Sequence, residues 1–260
     1  MNREASPVAL QWADAAAEIA LDGGPLNLVD TALLRGLNEA LTTVSKQEGI
    51  RCLILHGGRG RAFCAGSDIR EVESLGRDAS ERKILFEDMV LRRLAQLVMP
   101  TIAAIDGPAL GGGFELALAC DLRVCRKGVP LGLPESRLGG LAGSGSVRLA
   151  RLIGPARAKE LLYTGDTIDT ERALAWGLVN RVVEDCSALD AARALAVTIA
   201  SRGPLSNRFA KRLVDAALDL PLDATLSMST SIQQQIFDSD DLHEGVQAFF
   251  GKREPRFGGR

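Results

Sequence analysis

Two glutamates in unusual company set the chemical question. Glu115 follows three consecutive glycines in IDGPALGGGFELALACD (105–121), and Glu135 lies in LGLPESRLGG (131–140). Gly costs roughly 1 kcal/mol relative to Ala inside a helix or strand, so a triplet marks a place where the backbone itself is needed. A carboxylate among apolar residues is equally unexpected, because an ionised group resists desolvation. A third segment, RAFCAGSDI (61–69), is small-residue-rich as well. Around Ser67 and Gly112, backbone N–H groups can approach a ligand closely. Paired amide donors aimed at one oxygen, with two carboxylates beside them, can stabilise an enolate and move protons at the adjacent carbon.

Each glutamate also has a plain reading. Glu115 could be a first-turn acid favoured by the helix dipole, worth only ~0.3–1 kcal/mol, and Glu135 a solvated loop or cap residue. Their joint appearance with both glycine-rich loops favours function. Other chemistries fit less well. No G-x-G-x-x-G occurs, since Leu116 stands three beyond Gly113, and there is no phosphate-binding G-x-x-x-x-G-K-[ST] and no G-x-S-x-G elbow. Cys64 with His56 could be read as thiol and base, but a buried cysteine is more often an inert small hydrophobe.

The elements that must position these residues are legible in outline. AEIAL (17–21), CLILH (52–56), TIAAID (101–106) and LRVC (122–125) read as strands. Between them, a helix is expected over 30–47 with Asp30 as N-cap, another over 80–98 on the apolar spacing of Ile84, Leu85, Met89, Leu91 and Leu94, and a third from about 112. Alternating strands and helices predict an α/β core with parallel pairing, whose loops at the carboxyl ends of adjacent strands share one crevice. From about 187 the pattern is purely helical. The expected division is a core over 1–195, carrying the active site, and a helical region over 196–260.

Composition narrows the classes. The chain has 260 residues, is 46% hydrophobic and carries a formal net charge of −2 with only 4% aromatics, which argues against nucleic-acid binding. No apolar run approaches the ~20 residues of a membrane span, and the N-terminus lacks a signal or transit pattern. Five cysteines without a CxxC pair and two histidines argue against a disulfide scaffold or a metal site, and for a reduced, cytoplasmic protein.

The combination AFCAGSDI, PTIAAIDGPALGGGFELALACDLRV and GLPESRLGG, followed by GPARAKELLYTGDTIDTERALAWGLVNRVV, resembles the enoyl-CoA hydratase/isomerase, or crotonase, superfamily over nearly the whole chain. That resemblance implies a spiral of ββα units with a C-terminal helical region that builds homotrimers, usually paired into hexamers. It implies an acyl-CoA substrate within fatty acid and lipid metabolism, and no cofactor or metal beyond the CoA of the substrate. The amides of Ser67 and Gly112 would form an oxyanion hole for the thioester carbonyl. Leu26, Ala65, Ser67, Asp68, Ile69 and Gly112 would bind substrate, with Ala65 to Ile69 lining the bent CoA chain and adenine, and the basic C-terminal tail would help hold the nucleotide. Glu115 and Glu135 match the two catalytic glutamates that bracket one water: Glu115 would activate it for attack at C3, and Glu135 would protonate C2. Isomerases resemble this site but generally lack an acid at the first position, so hydration of a 2-enoyl-CoA is favoured over isomerase, other thioester lyase or hydrolase chemistry, or a non-catalytic CoA-binding scaffold. Two departures stand out: LDGGPLNLVD replaces the usual asparagine-arginine-proline signature, and the turn LAGSGSVRL after Glu135 is shorter by one residue and lacks its proline.

Overall fold

A computed structural model describes residues 6–260. Its chain begins with a hairpin, β1 (Val8–Ala13) and β2 (Ala16–Leu21). Helix α1 (Thr31–Lys46) follows, capped as expected by Asp30, whose carboxylate accepts from the Leu33 N–H. Strand β3 (Cys52–His56) leads into the glycine-rich loop and the short helix α2 (Ile69–Leu75). A π-helical turn over Ser80–Ile84 runs into α3 (Leu85–Ala95), and β4 (Thr101–Ile105) returns to the sheet. Next come β5 (Ala109–Leu110), α4 (Gly112–Ala119), β6 (Leu122–Arg126), β7 (Leu131–Gly132) and a 3-10 turn over Pro134–Leu138. Helices α5 (Gly143–Ile153) and α6 (Pro155–Thr164) precede β8 (Thr167–Ile168), α7 (Thr170–Ala175) and β9 (Arg181–Val183). Helices α8 (Ala188–Ala200), α9 (Pro204–Ala217), α10 (Leu222–Phe237) and α11 (Asp240–Phe250) complete the chain.

The main sheet has the order β1-β2-β3-β4-β6-β9, and a smaller one the order β5-β7-β8. In the main sheet every pairing from β2 to β9 is parallel, and only β1 runs antiparallel, against β2. Both faces are covered, as parallel strands require. Leu53, Leu55, Ala103, Ile105 and Cys125 face α1, α3 and α4, whereas Ile54, Ile102, Ala104 and Val124 face Ala188, Ala192 and Ala196 of α8. That alternation is the period-two signature of a strand buried on both sides.

The stretch 80–98 departs from its apolar spacing. Leu91 and Leu94 are buried, but Ile84, Leu85 and Met89 are exposed, at 47%, 63% and 38%. Lys83 and Glu87 point inward instead, at 0% and 5%. The π-helical turn inserts an extra residue per turn and rotates the face that the sequence alone assigns to the core. The four last helices leave other apolar side chains uncovered, among them Val214, Leu218, Leu222, Phe249 and Phe250.

Candidate active site

The loops after β3 and β4 clasp each other. Cys64 N–H donates to the Pro108 carbonyl at 3.2 Å, and Leu110 N–H to the Cys64 carbonyl at 3.0 Å. A side chain on Gly113 would begin 2.2 Å from the Cys64 oxygen, so only glycine lets α4 start this close to the neighbouring loop. Gly111 turns the chain into α4 at φ +52°, in the region that glycine tolerates best. Beside it, an added Cβ on Gly112 would lie 3.2 Å from Ser67 Oγ. Among the described residues neither the Ser67 nor the Gly112 amide donates to another group of the chain. The two expected amide donors therefore sit side by side and unspent.

The substrate-binding candidates share one rim. Ala65 N–H donates to the Leu26 carbonyl at 2.9 Å, and Asp68 N–H to the Val29 carbonyl at 3.1 Å. Leu26 and Ile69 are exposed at 45% and 54%. Asp68 caps α2 and also pairs with Arg70. The basic tail is partly committed elsewhere: Arg253 forms a bidentate pair with Glu244 of α11 at 2.6 and 2.8 Å.

Glu115 and Glu135 are carried by two different elements, α4 and the 3-10 turn. Glu115 lies in the first turn of α4 and is buried, with Oε1 accepting from the Gly145 N–H at 2.5 Å. Gly145 is in the first turn of α5, so the turn after Glu135 delivers a helix-start amide to Glu115. Burial dominates and pushes Glu115 up to about 7, aided by the charges of Glu87 and Glu135 and opposed by the Gly145 amide and Arg148. Glu135 sits on the 3-10 turn, and burial raises it too, with Glu87 adding to the effect. An added Cβ on Gly111 would lie 2.8 Å from Glu135 Oε1. Glu135 Oε2 is buried with no hydrogen-bond partner. An unpaired buried acceptor costs about 1–3 kcal/mol, and a carboxylate retained at that cost is a functional candidate.

Besides Gly145, three side chains were not legible as site residues. Glu87 reaches the glycine turn, its Oε1 lying 2.9 Å from where a Gly112 Cβ would be. Lys83 pairs with Glu87 Oε2 at 2.8 Å and reaches Ser67 Oγ at 3.4 Å. Asn27, in the segment that replaces the family signature, is fully buried. Its amide donates to the carbonyls of Gly57, Ala62 and Phe63 at 2.8, 3.1 and 3.2 Å, tying the rim to the loop that carries Ser67. Its φ of +48° is one that Asn tolerates better than most residues.

A parallel sheet with unspent amides and two raised carboxyls at its loop ends is the arrangement the sequence resemblance leads one to expect. The chain belongs to the enoyl-CoA hydratase/isomerase family, whose pattern matches residues 12–260. It is 34% identical over 233 residues to a crotonyl-CoA hydratase of Syntrophomonas wolfei, covering 89% of this chain and 90% of that one. To a mitochondrial methylglutaconyl-CoA hydratase of Rattus norvegicus it is 35% identical over 238 residues, covering 90% and 76%. The crystal structure of an enoyl-CoA hydratase from Bacillus anthracis superposes with a TM-score of 0.93 at 36% identity, covering 98% of this chain and all of that one. The mixed α/β fold is thus the crotonase fold. Among the described residues, no helix is long and apolar enough to cross a membrane.

Proposed function

We propose that this protein hydrates a 2-enoyl-CoA thioester to the 3-hydroxyacyl-CoA. One observation supports the reading most: two carboxyls, both raised above their ordinary range, belong to the glycine turn and its neighbour, where the free Gly112 amide lies beside the free Ser67 amide of the adjoining loop. Adding water to a conjugated thioester builds negative charge on the carbonyl oxygen, and the Ser67 and Gly112 amides receive it. Losing one such donor typically costs ~2.7–4 kcal/mol of transition-state stabilisation. Glu115 takes a proton from the attacking water at C3, and Glu135 gives one to C2. Burial raises both carboxyls, and the charge of Glu135 adds to the rise at Glu115, so one acts as base while the other retains a proton near neutral pH. The acid at position 115 favours hydration over double-bond migration.

Leu26 and the segment Ala65 to Ile69 hold the CoA portion in this proposal. No metal or redox group enters the chemistry. The uncovered apolar faces of α9 to α11 pair subunits into a homotrimer or hexamer, in a reduced cytoplasmic setting. The test is loss of the conjugated-thioester absorbance of crotonyl-CoA, with 3-enoyl and longer-chain thioesters run alongside. Turnover of 3-enoyl substrates without hydration of crotonyl-CoA would replace this reading with the isomerase one.

A further inference from the structure

The amide pair lies on two loops that share no hydrogen bond at the pair itself. Their clasp runs through Cys64, and among the described residues no backbone hydrogen bond joins Ser67 to Gly112. Gly66 and Asp68, on either side of Ser67, bond instead to Val29, which ties that loop to the rim and not to α4. Two side chains from a third element span the gap. Lys83, in the π-helical turn, and Glu87, in α3, are enclosed at 0% and 5% exposure and pair at 2.8 Å. The Lys83 ammonium also donates to Ser67 Oγ, at a long 3.4 Å. Glu87 Oε1 lies 2.9 Å from the point where a Gly112 Cβ would stand, and Ser67 Oγ lies 3.2 Å from the same point.

We propose that Lys83 and Glu87 are positioning residues: from the π-helical turn and α3 they set the spacing at which the Ser67 and Gly112 amides face one oxygen. The proposal rests on the hydratase reading, in which those amides receive the charge of the thioester carbonyl, and it adds the device that holds them.

Two amides that are to admit an oxygen between them cannot bond to one another, so their separation must be imposed from outside. A charge-assisted hydrogen bond is short and directional, which suits it to fixing such a distance. Stability does not account for the pair, since well-packed apolar residues of similar volume usually serve as well as a buried ion pair or better. The π-helical turn, with its extra residue, brings both side chains inward while Ile84, Leu85 and Met89 face outward. Apolar residues in their place would fill the volume, but without the bond to Ser67 and without a fixed carboxylate against Gly112. A displacement of about 1 Å in such a site costs on the order of 10²-fold in rate.

The test replaces the pair by apolar residues of similar size, Lys83→Met/Glu87→Leu, and compares urea stability, crotonyl-CoA hydration and the infrared carbonyl band of bound butyryl-CoA isotope-labelled at C1. Donors aimed at a carbonyl oxygen lower its stretching frequency, so the band reports on the amide pair directly. The wild type is expected to hold the band below its frequency in water, and the double variant to return it toward that value. The variant should lose roughly 10–100-fold in kcat, with butyryl-CoA affinity within about twofold of the wild type and stability unchanged or raised. A pair that only supports the fold gives the opposite result, lower stability with kcat and the band unchanged, and that result overturns the proposal. A loss confined to KM and butyryl-CoA affinity overturns it too, as does a wild-type band at its frequency in water. Should the double variant fail to fold, Glu87→Gln and Lys83→Gln, each close in size to the native residue, are compared in its place, and a wild-type band in both overturns the proposal. Normal hydration by the wild type with an unmoved band in the variant removes only this inference. A moved band with no hydration by the wild type removes the hydratase reading and leaves the positioning in place. No binding of either thioester removes both.

Discussion

Gly145 donates its backbone N–H to Glu115 Oε1 at 2.5 Å, joining the start of α5 to the first turn of α4. That bond favours the ionised carboxylate, yet burial outweighs it and leaves Glu115 at about 7. A group balanced this way changes charge within the working range of pH. If Glu115 is the base that activates water, kcat/KM for hydration should fall as pH drops through about 7, with a slope near one. The measurement is a pH–rate profile of the free enzyme's kcat/KM. A profile flat from pH 6 to 8 would remove Glu115 from the role of base.

The same carboxyl should leave a signature in stability. Its folded value lies above the ordinary 4.5, so folding favours the protonated form. The stability this contributes is fully present below about pH 4.5 and is lost as pH rises through about 7, for a difference of roughly 3 kcal/mol at most. Glu115→Gln, which cannot ionise, should therefore be more stable than the wild type at pH 8 and similar at pH 4.5. Denaturant midpoints at the two pH values decide this, and an equal difference at both would contradict it.

Gly113→Ala tests the close start of α4. The new methyl would meet the Cys64 carbonyl and side chain at 2.2 and 2.6 Å. Both neighbours are backbone or buried, so the strain cannot be relieved by a flexible side chain. A loss of about 1–3 kcal/mol or more is expected in urea unfolding, the range seen for overpacked cores. A variant with wild-type stability would show that α4 can shift away from the loop.

How much of this was legible depended on which physical signal each residue used. Asp30 was readable because an N-cap is a local device, and β3 and β4 because buried parallel strands are short apolar runs. Glu115, Glu135, Ser67 and Gly112 could be gathered because the carboxyl ends of neighbouring parallel strands share a crevice. Gly145 was hidden because it acts through its amide, which carries no side-chain signal. Lys83 and Glu87 were hidden because Ile84, Leu85 and Met89 supply a convincing helical face, and a single π-helical turn reassigns it. The first strand, Val8–Ala13, was missed because it is half exposed and ends in polar and turn residues.

The uncovered side chains of the last helices predict assembly. Leu218, Leu222, Phe249 and Phe250 are 59%, 72%, 79% and 78% exposed, an apolar surface that a stable soluble protein usually covers. Light scattering at micromolar concentration should give a mass three or six times that of the chain. A monomer would contradict the assembly.

Hydrogen–deuterium exchange at C2 separates the roles of the two glutamates. Glu115→Gln and Glu135→Gln are each assayed for crotonyl-CoA hydration, and for deuterium uptake at C2 of a bound saturated or 3-enoyl thioester by mass spectrometry. Glu115→Gln should hydrate roughly 10²–10⁴-fold more slowly, the usual contribution of a general acid–base group, yet retain some exchange. Glu135→Gln should lose both activities, because no group remains to exchange a proton at C2. Wild-type exchange in Glu135→Gln together with lost exchange in Glu115→Gln would reverse the roles, and normal hydration by both variants would contradict the two-glutamate account.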